Sequence, residues 1–178
     1  MTRLNSQPVS QATGPAADIF ASIQAAIGVV PNAYAGIGTN SPNVLSTLLA
    51  MDATLAKGSL SKKEVETIKL ALSQDTGCDY CLAAHTMIGK SAGLKKEQIL
   101  AARHGSASGD DRLDALALFA RTVHGTKGTV PVETVDAVKA AGYTDTQIVE
   151  SLLAISAILF TNYFNRVNDT VLDFPKAD

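Results

Sequence analysis

The run Cys78-Asp79-Tyr80-Cys81-Leu82-Ala83-Ala84-His85 holds the side chains best suited to covalent chemistry. Cys81 follows Cys78 at i+3, and His85 follows Cys81 at i+4. On a helix, at about 100° per residue, all three project within roughly a 60° sector. Neighbours at i,i+3 and i,i+4 touch, so Cys81 would reach both Cys78 and His85. Two thiols so placed can close a disulfide, provided their Cα atoms fall within about 4.4–6.8 Å. The imidazole gives one thiol a proton acceptor. Two arguments compete over which sulfur attacks. The helix dipole favours a thiolate at Cys78, nearer the N-terminus, whereas the imidazole one turn on favours Cys81.

Glu66 supplies a fourth group. The helix that carries it ends near Thr76 and Gly77, where the cysteine segment begins. If the two helices form an antiparallel hairpin about that turn, Glu66 and His85 face each other. A carboxylate there would orient the imidazole, completing a nucleophile–base–orienter set.

Other readings of the same residues are available. A lone CxxC can be two small buried side chains, because free Cys often behaves as core. Cys78, Cys81, His85 and Glu66 could together make a zinc site, although the usual second CxxC or HxxxH is missing. A thioredoxin-like domain needs a β/α fold, and no period-two strand is visible. His104 and His124 each fall at a predicted helix C-terminus, where a cation suits the dipole, and read as structural. Asn162, Asn165, Arg166, Asn168 and Asp169 crowd the end of the last helix. They fit a solvated end, a subunit contact or a site wall.

The elements that must position these groups are all helical by periodicity. Residues 1–13, rich in Ser, Gln and Thr, read as a flexible tail; residues 14–178 read as one domain. Ile19, Phe20, Ile23, Ala26 and Ile27 form a first stripe, ended by Gly28 and Pro31. A short helix is predicted over 32–37, and Pro42 opens the next, with Val44, Leu45, Leu48, Leu49 and Leu55. Ser61 with Glu64 is a capping box opening the helix of Val65, Ile68 and Leu72, with the stem of Lys69 on its apolar face. The cysteine segment runs to about Ala92, closed by Gly93. A short helix over 95–103 follows, then a polar loop at 105–110, then the stripe Leu113, Leu116, Ala117, Ala120 and Val123. Pro131 starts another helix. Thr144 with Gln147 is a second capping box, opening a helix with Ile148, Leu152, Ile155, Ile158 and Leu159 that is predicted to reach Val171.

The chain has 178 residues, the size of one ordinary domain, and is 46% hydrophobic and 18% charged, enough to bury a core. With 5% aromatic residues and no Trp, that core must be built from Ala, Leu, Ile and Val. The net charge is −2 with no basic stripe, which argues against a nucleic-acid partner. The apolar stretch from Ile148 to Phe160 is interrupted by Glu150 and falls short of a membrane span. The polar N-terminal residues lack the apolar centre of a secretory signal, so a cytoplasmic location is expected. Two cysteines are too few for a secreted disulfide framework, and in a reducing compartment the pair reads as redox or metal chemistry.

Glu66, eleven residues, Cys78-x-x-Cys81 and three residues before His85 together resemble the motif of the alkylhydroperoxidase D family, within the carboxymuconolactone decarboxylase-like superfamily. The resemblance spans roughly residues 15–175. It includes the closing Asn162-Tyr163-Phe164-Asn165-Arg166-Val167-Asn168, similar to the C-terminal stretch of peroxidase-related members. The resemblance implies an all-α bundle around a CxxC-bearing hairpin, assembled into homotrimers or hexamers. It implies reduction of a peroxide, or disulfide exchange, at the expense of a dithiol or protein-thiol reductant, without metal, haem or other cofactor. Cys81 then matches the peroxide-attacking cysteine, Cys78 the more exposed resolving one, and His85 with Glu66 the proton relay. The best-studied members carry a second His directly before the second cysteine. Here Tyr80 takes that place as a site neighbour, which separates thiol chemistry from alkylhydroperoxidase as the physiological role. The lactone-decarboxylating branch generally lacks this CxxC and is the lesser enzymatic alternative. A non-enzymatic oligomer whose cysteine pair senses redox state is another.

Overall fold

The computed structural model describes residues 2–177. Among them the chain forms nine α-helices and no strand. In chain order these are α1 (Pro15–Ile27), α2 (Asn32–Asn40), α3 (Pro42–Ala56), α4 (Lys62–Asp75) and α5 (Asp79–Ser91), followed by α6 (Lys96–His104), α7 (Asp111–Gly125), α8 (Val132–Ala140) and α9 (Asp145–Asn168). The all-helical architecture expected from periodicity is what the chain adopts.

Helix α4 is the hub and packs against α5, α6, α7 and α9. Its start is set by the expected capping box. The Ser61 hydroxyl accepts from the Glu64 N–H, and the Glu64 carboxylate accepts from the Ser61 N–H at 2.7 Å. Ile68, Leu70, Ala71 and Leu72 on α4 are all fully buried. Each large aliphatic side chain removed from water contributes about 1.5–3 kcal/mol, so α4 is anchored on nearly every face. The Lys69 side chain is largely buried, and its ammonium pairs with Asp52 of α3 at 3.0 Å.

The α4–α5 hairpin turns at Gly77, whose φ of +61° is left-handed and favours a residue without Cβ. Gly89 of α5 lets the two helices approach closely. A Cβ placed there would lie 3.2 Å from Leu94 and 3.9 Å from the Glu66 Cβ. Beyond α4 and α5, the core is filled by Leu116, Phe119 and Ala120 of α7 and by Ala154, Ile155 and Ile158 of α9.

Helix α9 differs from its sequence reading. It spans 24 residues and stops at Asn168, where Asp169 turns left-handed, instead of reaching Val171. By length and composition it is long and apolar enough to cross a membrane, unlike the shorter run read from the sequence. The apolar run Ile148 to Phe160 is only part of that helix. Helix α9 packs against α2, α3, α4, α5 and α7. Leu152, assigned to its inner stripe, faces outward. With Val149, Phe160, Tyr163 and Val167 it forms an exposed apolar face. Because α9 is apolar on both sides, periodicity alone does not say which side is inside.

The two chain ends meet near the last turn of α9. The Arg3 N–H donates to the Asn168 carbonyl at 2.9 Å, and the Leu4 N–H to the Asn168 side chain at 3.0 Å. After α9 the chain crosses the start of α2, where Asp173 accepts from the Asn32 N–H at 2.7 Å.

Candidate functional site

Cys78 and Cys81 are joined as a disulfide, with Cα atoms 5.3 Å apart. Their local geometry differs from two positions on one helix. Cys78 is the N-cap of α5, with φ −89° and ψ 91°, and its Sγ accepts from the Cys81 N–H at 3.3 Å. Left-handed Gly77 sends the chain into this extended step, so the bridge links a cap to the first helical turn. Cys78 is also not the more exposed of the pair: relative exposures are 1% and 2%.

His85 lies one turn beyond Cys81 on α5. Its Nδ1 meets Glu66 Oε2 at 2.7 Å, the contact the hairpin argument places there. The two side chains are only 13% and 7% exposed. With Nδ1 engaged by the carboxylate, Nε2 is the nitrogen left to exchange a proton with a thiol or substrate.

Asn165 completes the surroundings of the disulfide. It reaches across from α9, and its Nδ2 donates to Cys81 Sγ at 3.4 Å. It is buried, and its Oδ1 has no partner. Within the polar end of α9 the asparagines are buried, with Asn165 against the disulfide, while Arg166 and Asp169 are exposed. Asn162, Asn165 and Asn168 recur on one helix face and are 0%, 5% and 2% exposed. Asn162 accepts from the buried Ser73 hydroxyl at 3.2 Å. Sequence reasoning left Asn165 inside an undecided cluster. The signal that singles it out is the i,i+3,i+6 spacing of three amides on an otherwise apolar helix.

Two cavities meet at the disulfide. One, about 290 Å³, is mostly apolar and is lined by Cys81, His85, Leu48, Met87, Ile88 and Phe174 among others. Its polar corner holds the Lys69–Asp52 ion pair and Tyr34, whose hydroxyl donates to Asp52 at 3.5 Å. Burial, then the Asp52 carboxylate, push the Tyr34 phenol well above its ordinary pKa, so it stays a neutral donor. Neither Tyr34 nor Asp52 carries a sequence signal that would have marked it. The other cavity, about 650 Å³, is polar and opens on Cys78. Tyr80 and Asn165 line both and so separate them. The Tyr80 hydroxyl accepts from the Ala33 N–H at 3.1 Å, and its ring stands edge-on to Phe174 with centroids 5.5 Å apart. Burial raises its pKa strongly, so Tyr80 is a neutral wall and not a base.

His104 and His124 sit in the last turns of α6 and α7 and line neither cavity. Among the described residues, no three His, Cys, Asp or Glu side chains converge as metal ligands.

Residues 42–122 match the carboxymuconolactone decarboxylase family, a segment that contains Glu66, both cysteines and His85. No curated protein matches the chain by sequence. Among solved structures, the chain is similar to a peroxidase-related protein from Ralstonia eutropha JMP134, described as an alkylhydroperoxidase AhpD core. That likeness has a TM-score of 0.85 and 20% identity, covering 97% of this chain and 92% of that one. It is also similar to the debrominase Bmp8 in complex with 2,3,4-tribromopyrrole, with a TM-score of 0.80, 17% identity and coverage of 97% and 92%. A peroxidase-related protein from Silicibacter sp. TM1040 gives a TM-score of 0.75, 19% identity and coverage of 96% and 94%. At these identities the likeness is one of fold.

Proposed function

We propose that this chain, an AhpD-like member of the carboxymuconolactone decarboxylase superfamily, works as a thiol-dependent peroxidase or disulfide oxidoreductase. The observation that carries the proposal is the placement of one sulfur of a CxxC disulfide, Cys81, in an apolar cavity beside a carboxylate-held imidazole. In the reduced protein His85 takes the Cys81 proton. The thiolate attacks the terminal oxygen of a hydroperoxide, the O–O bond breaks, and Cys81 becomes a sulfenic acid. The departing alkoxide takes a proton and leaves as the alcohol. The Cys78 thiolate then attacks the Cys81 sulfur and releases water, forming the disulfide. The apolar walls suit an organic hydroperoxide better than hydrogen peroxide, because an apolar group is favoured there and a hydrated one is not.

The test is peroxide consumption with a recycling dithiol, across several organic hydroperoxides. Many equivalents consumed per chain support an enzyme. A single equivalent followed by arrest would make the cysteine pair a sensor, the non-enzymatic alternative.

A second reading draws on the likeness to a debrominase. The same dithiol can supply the electron pair that replaces a halide on an aromatic carbon by hydrogen, ending as the same disulfide. Bromide release from tribromopyrrole with thiol, at a rate above that for any hydroperoxide, would favour it.

Asn165 has a defined part in either reaction. Its amide N–H stabilises negative charge on the Cys81 sulfur, and a hydrogen bond to a charged group contributes about 1.5–3 kcal/mol. Asn165→Ala should therefore slow the Cys81 reaction by roughly one to two decades. The same substitution should move the thiolate titration of Cys81, read by ultraviolet absorbance, to higher pH. An unchanged titration curve would leave Asn165 a packing residue only.

The exposed apolar face of α9 supports a homo-oligomer, as the expected trimer or hexamer would require. Light scattering at micromolar concentration should give a multiple of the chain's 18.5 kDa. A monomer mass would contradict it.

A further inference from the structure

We infer that the apolar cavity takes a compact apolar molecule carrying a neutral hydroxyl or amide close to the group that reacts, and that the Lys69–Asp52 pair reads that neutral group. This rests on placing the Cys81 reaction in the same cavity, and it names the substrate class.

The cavity, about 290 Å³, is lined by Cys81 and His85 and also by Tyr34, Asp52 and Lys69. Ile27, Val29, Met87 and Ile88 line it as well and are exposed, so its mouth is apolar. Stability alone does not account for an ion pair in such a wall. The Lys69 and Asp52 side chains are 12% and 31% exposed. Withdrawing both charges from water largely offsets their attraction, and apolar side chains of similar volume would stabilise the fold as well or better. What the pair offers, and an apolar wall does not, is hydrogen bonding at the cavity. The Lys69 ammonium has three N–H donors, and Asp52 Oδ1 takes one of them at 3.0 Å. Asp52 Oδ2 accepts a long contact from the Tyr34 hydroxyl, at 3.5 Å, and has further lone-pair capacity. Donor and acceptor thus stand side by side. A hydroxyl or a primary amide matches both, since each carries an acceptor oxygen and a donor hydrogen.

Charge selects the neutral group. Asp52 already neutralises Lys69, and burial together with the Asp52 carboxylate keeps Tyr34 a neutral phenol. A carboxylate ligand at the ammonium would stand beside the Asp52 charge and be repelled by it. A neutral group meets no such penalty. The register along α4 fixes its distance from the chemistry. Lys69 follows Glu66 by three residues, so the two share a helix face with Cβ atoms about 5–6 Å apart. Glu66 in turn holds His85 at 2.7 Å. The ligand's neutral group therefore lies about one helical turn from the imidazole, and a few bonds separate it from the reacting group.

The test uses the oxidised full chain, with neither peroxide nor thiol present, and three probes of similar shape: benzamide, benzoate and toluene. Binding is followed by titration under protein NMR. Benzamide should bind at millimolar concentration or below and shift the backbone amides around Asp52 and Lys69. Benzoate should bind more weakly. The double substitution Asp52→Leu, Lys69→Met removes both charges together and leaves neither unpaired, so the chain should still fold. It should weaken benzamide about tenfold, as the loss of a hydrogen bond to a charged group implies, and leave toluene unchanged or tighter. Benzamide binding the double variant as well as the native chain would make the pair a structural contact and overturn the proposal. Benzoate binding the native chain more tightly than benzamide would overturn it too, and that comparison needs no variant. No thiol chemistry enters the measurement, so the thiol reading and this one fail separately.

Discussion

The Cys81→Ser protein should consume no hydroperoxide above the buffer rate, whichever reductant is supplied. The attacking atom must combine three things: a thiolate, a proton acceptor and access to an apolar substrate. Cys78 has a hydrogen-bond donor in the Cys81 N–H at 3.3 Å, so charge stabilisation alone does not separate the two sulfurs. Cys81 has the Asn165 amide at 3.4 Å, which balances that term. What remains is location. Cys81 lines the cavity that contains His85, and Cys78 lines the one that does not. A serine hydroxyl stays protonated at neutral pH and does not attack a peroxide oxygen, so the loss is total and not graded. Cys78→Ser should behave differently. One round of peroxide is consumed, and the chain then stalls with Cys81 oxidised, unless an external thiol reaches it.

Removing the imidazole should cost nearly as much. His85→Ala should lower turnover by on the order of 10²-fold or more, the usual range for a lost general base. The loss should fall on the peroxide step, with disulfide reduction by external thiol much less affected. Glu66→Gln is predicted to cost less. The amide oxygen still accepts from Nδ1 and keeps the ring oriented, while the carboxylate charge is lost. Glu66→Ala should cost more than Glu66→Gln, since it also frees the ring. Single-turnover oxidation of reduced protein, read by loss of free thiol, separates this step from recycling. Equal rates for His85→Ala and the native sequence would remove the imidazole from the mechanism.

These groups were legible to different degrees in the sequence. The Glu66–His85 contact follows from the short break at Thr76–Gly77 and the helix rise, because an antiparallel hairpin leaves few registers. Helix starts at Ser61 and Thr144 follow from capping boxes, which are local chemistry. The place of Cys78 was less legible. A residue at the mouth of a helix looks the same in sequence whether it is inside the first turn or capping it. Its small exposure follows from its place in the main core cluster, which packing over long sequence separations builds. Asn165 acts on Cys81 from 84 residues away, and an amide carries no reactivity of its own to flag it. The reach of α9 is over-read by three residues, because the left-handed turn at Asp169 that stops it carries no glycine to mark it.

The most direct measurement of the central claim is dimedone trapping after one equivalent of organic hydroperoxide, made on reduced Cys78→Ser and reduced Cys81→Ser side by side. The account predicts a dimedone adduct on Cys81 in the first protein and none in the second. An adduct on Cys78 in the Cys81→Ser protein, with Cys81 unlabelled in the other, would contradict it and reverse the two roles.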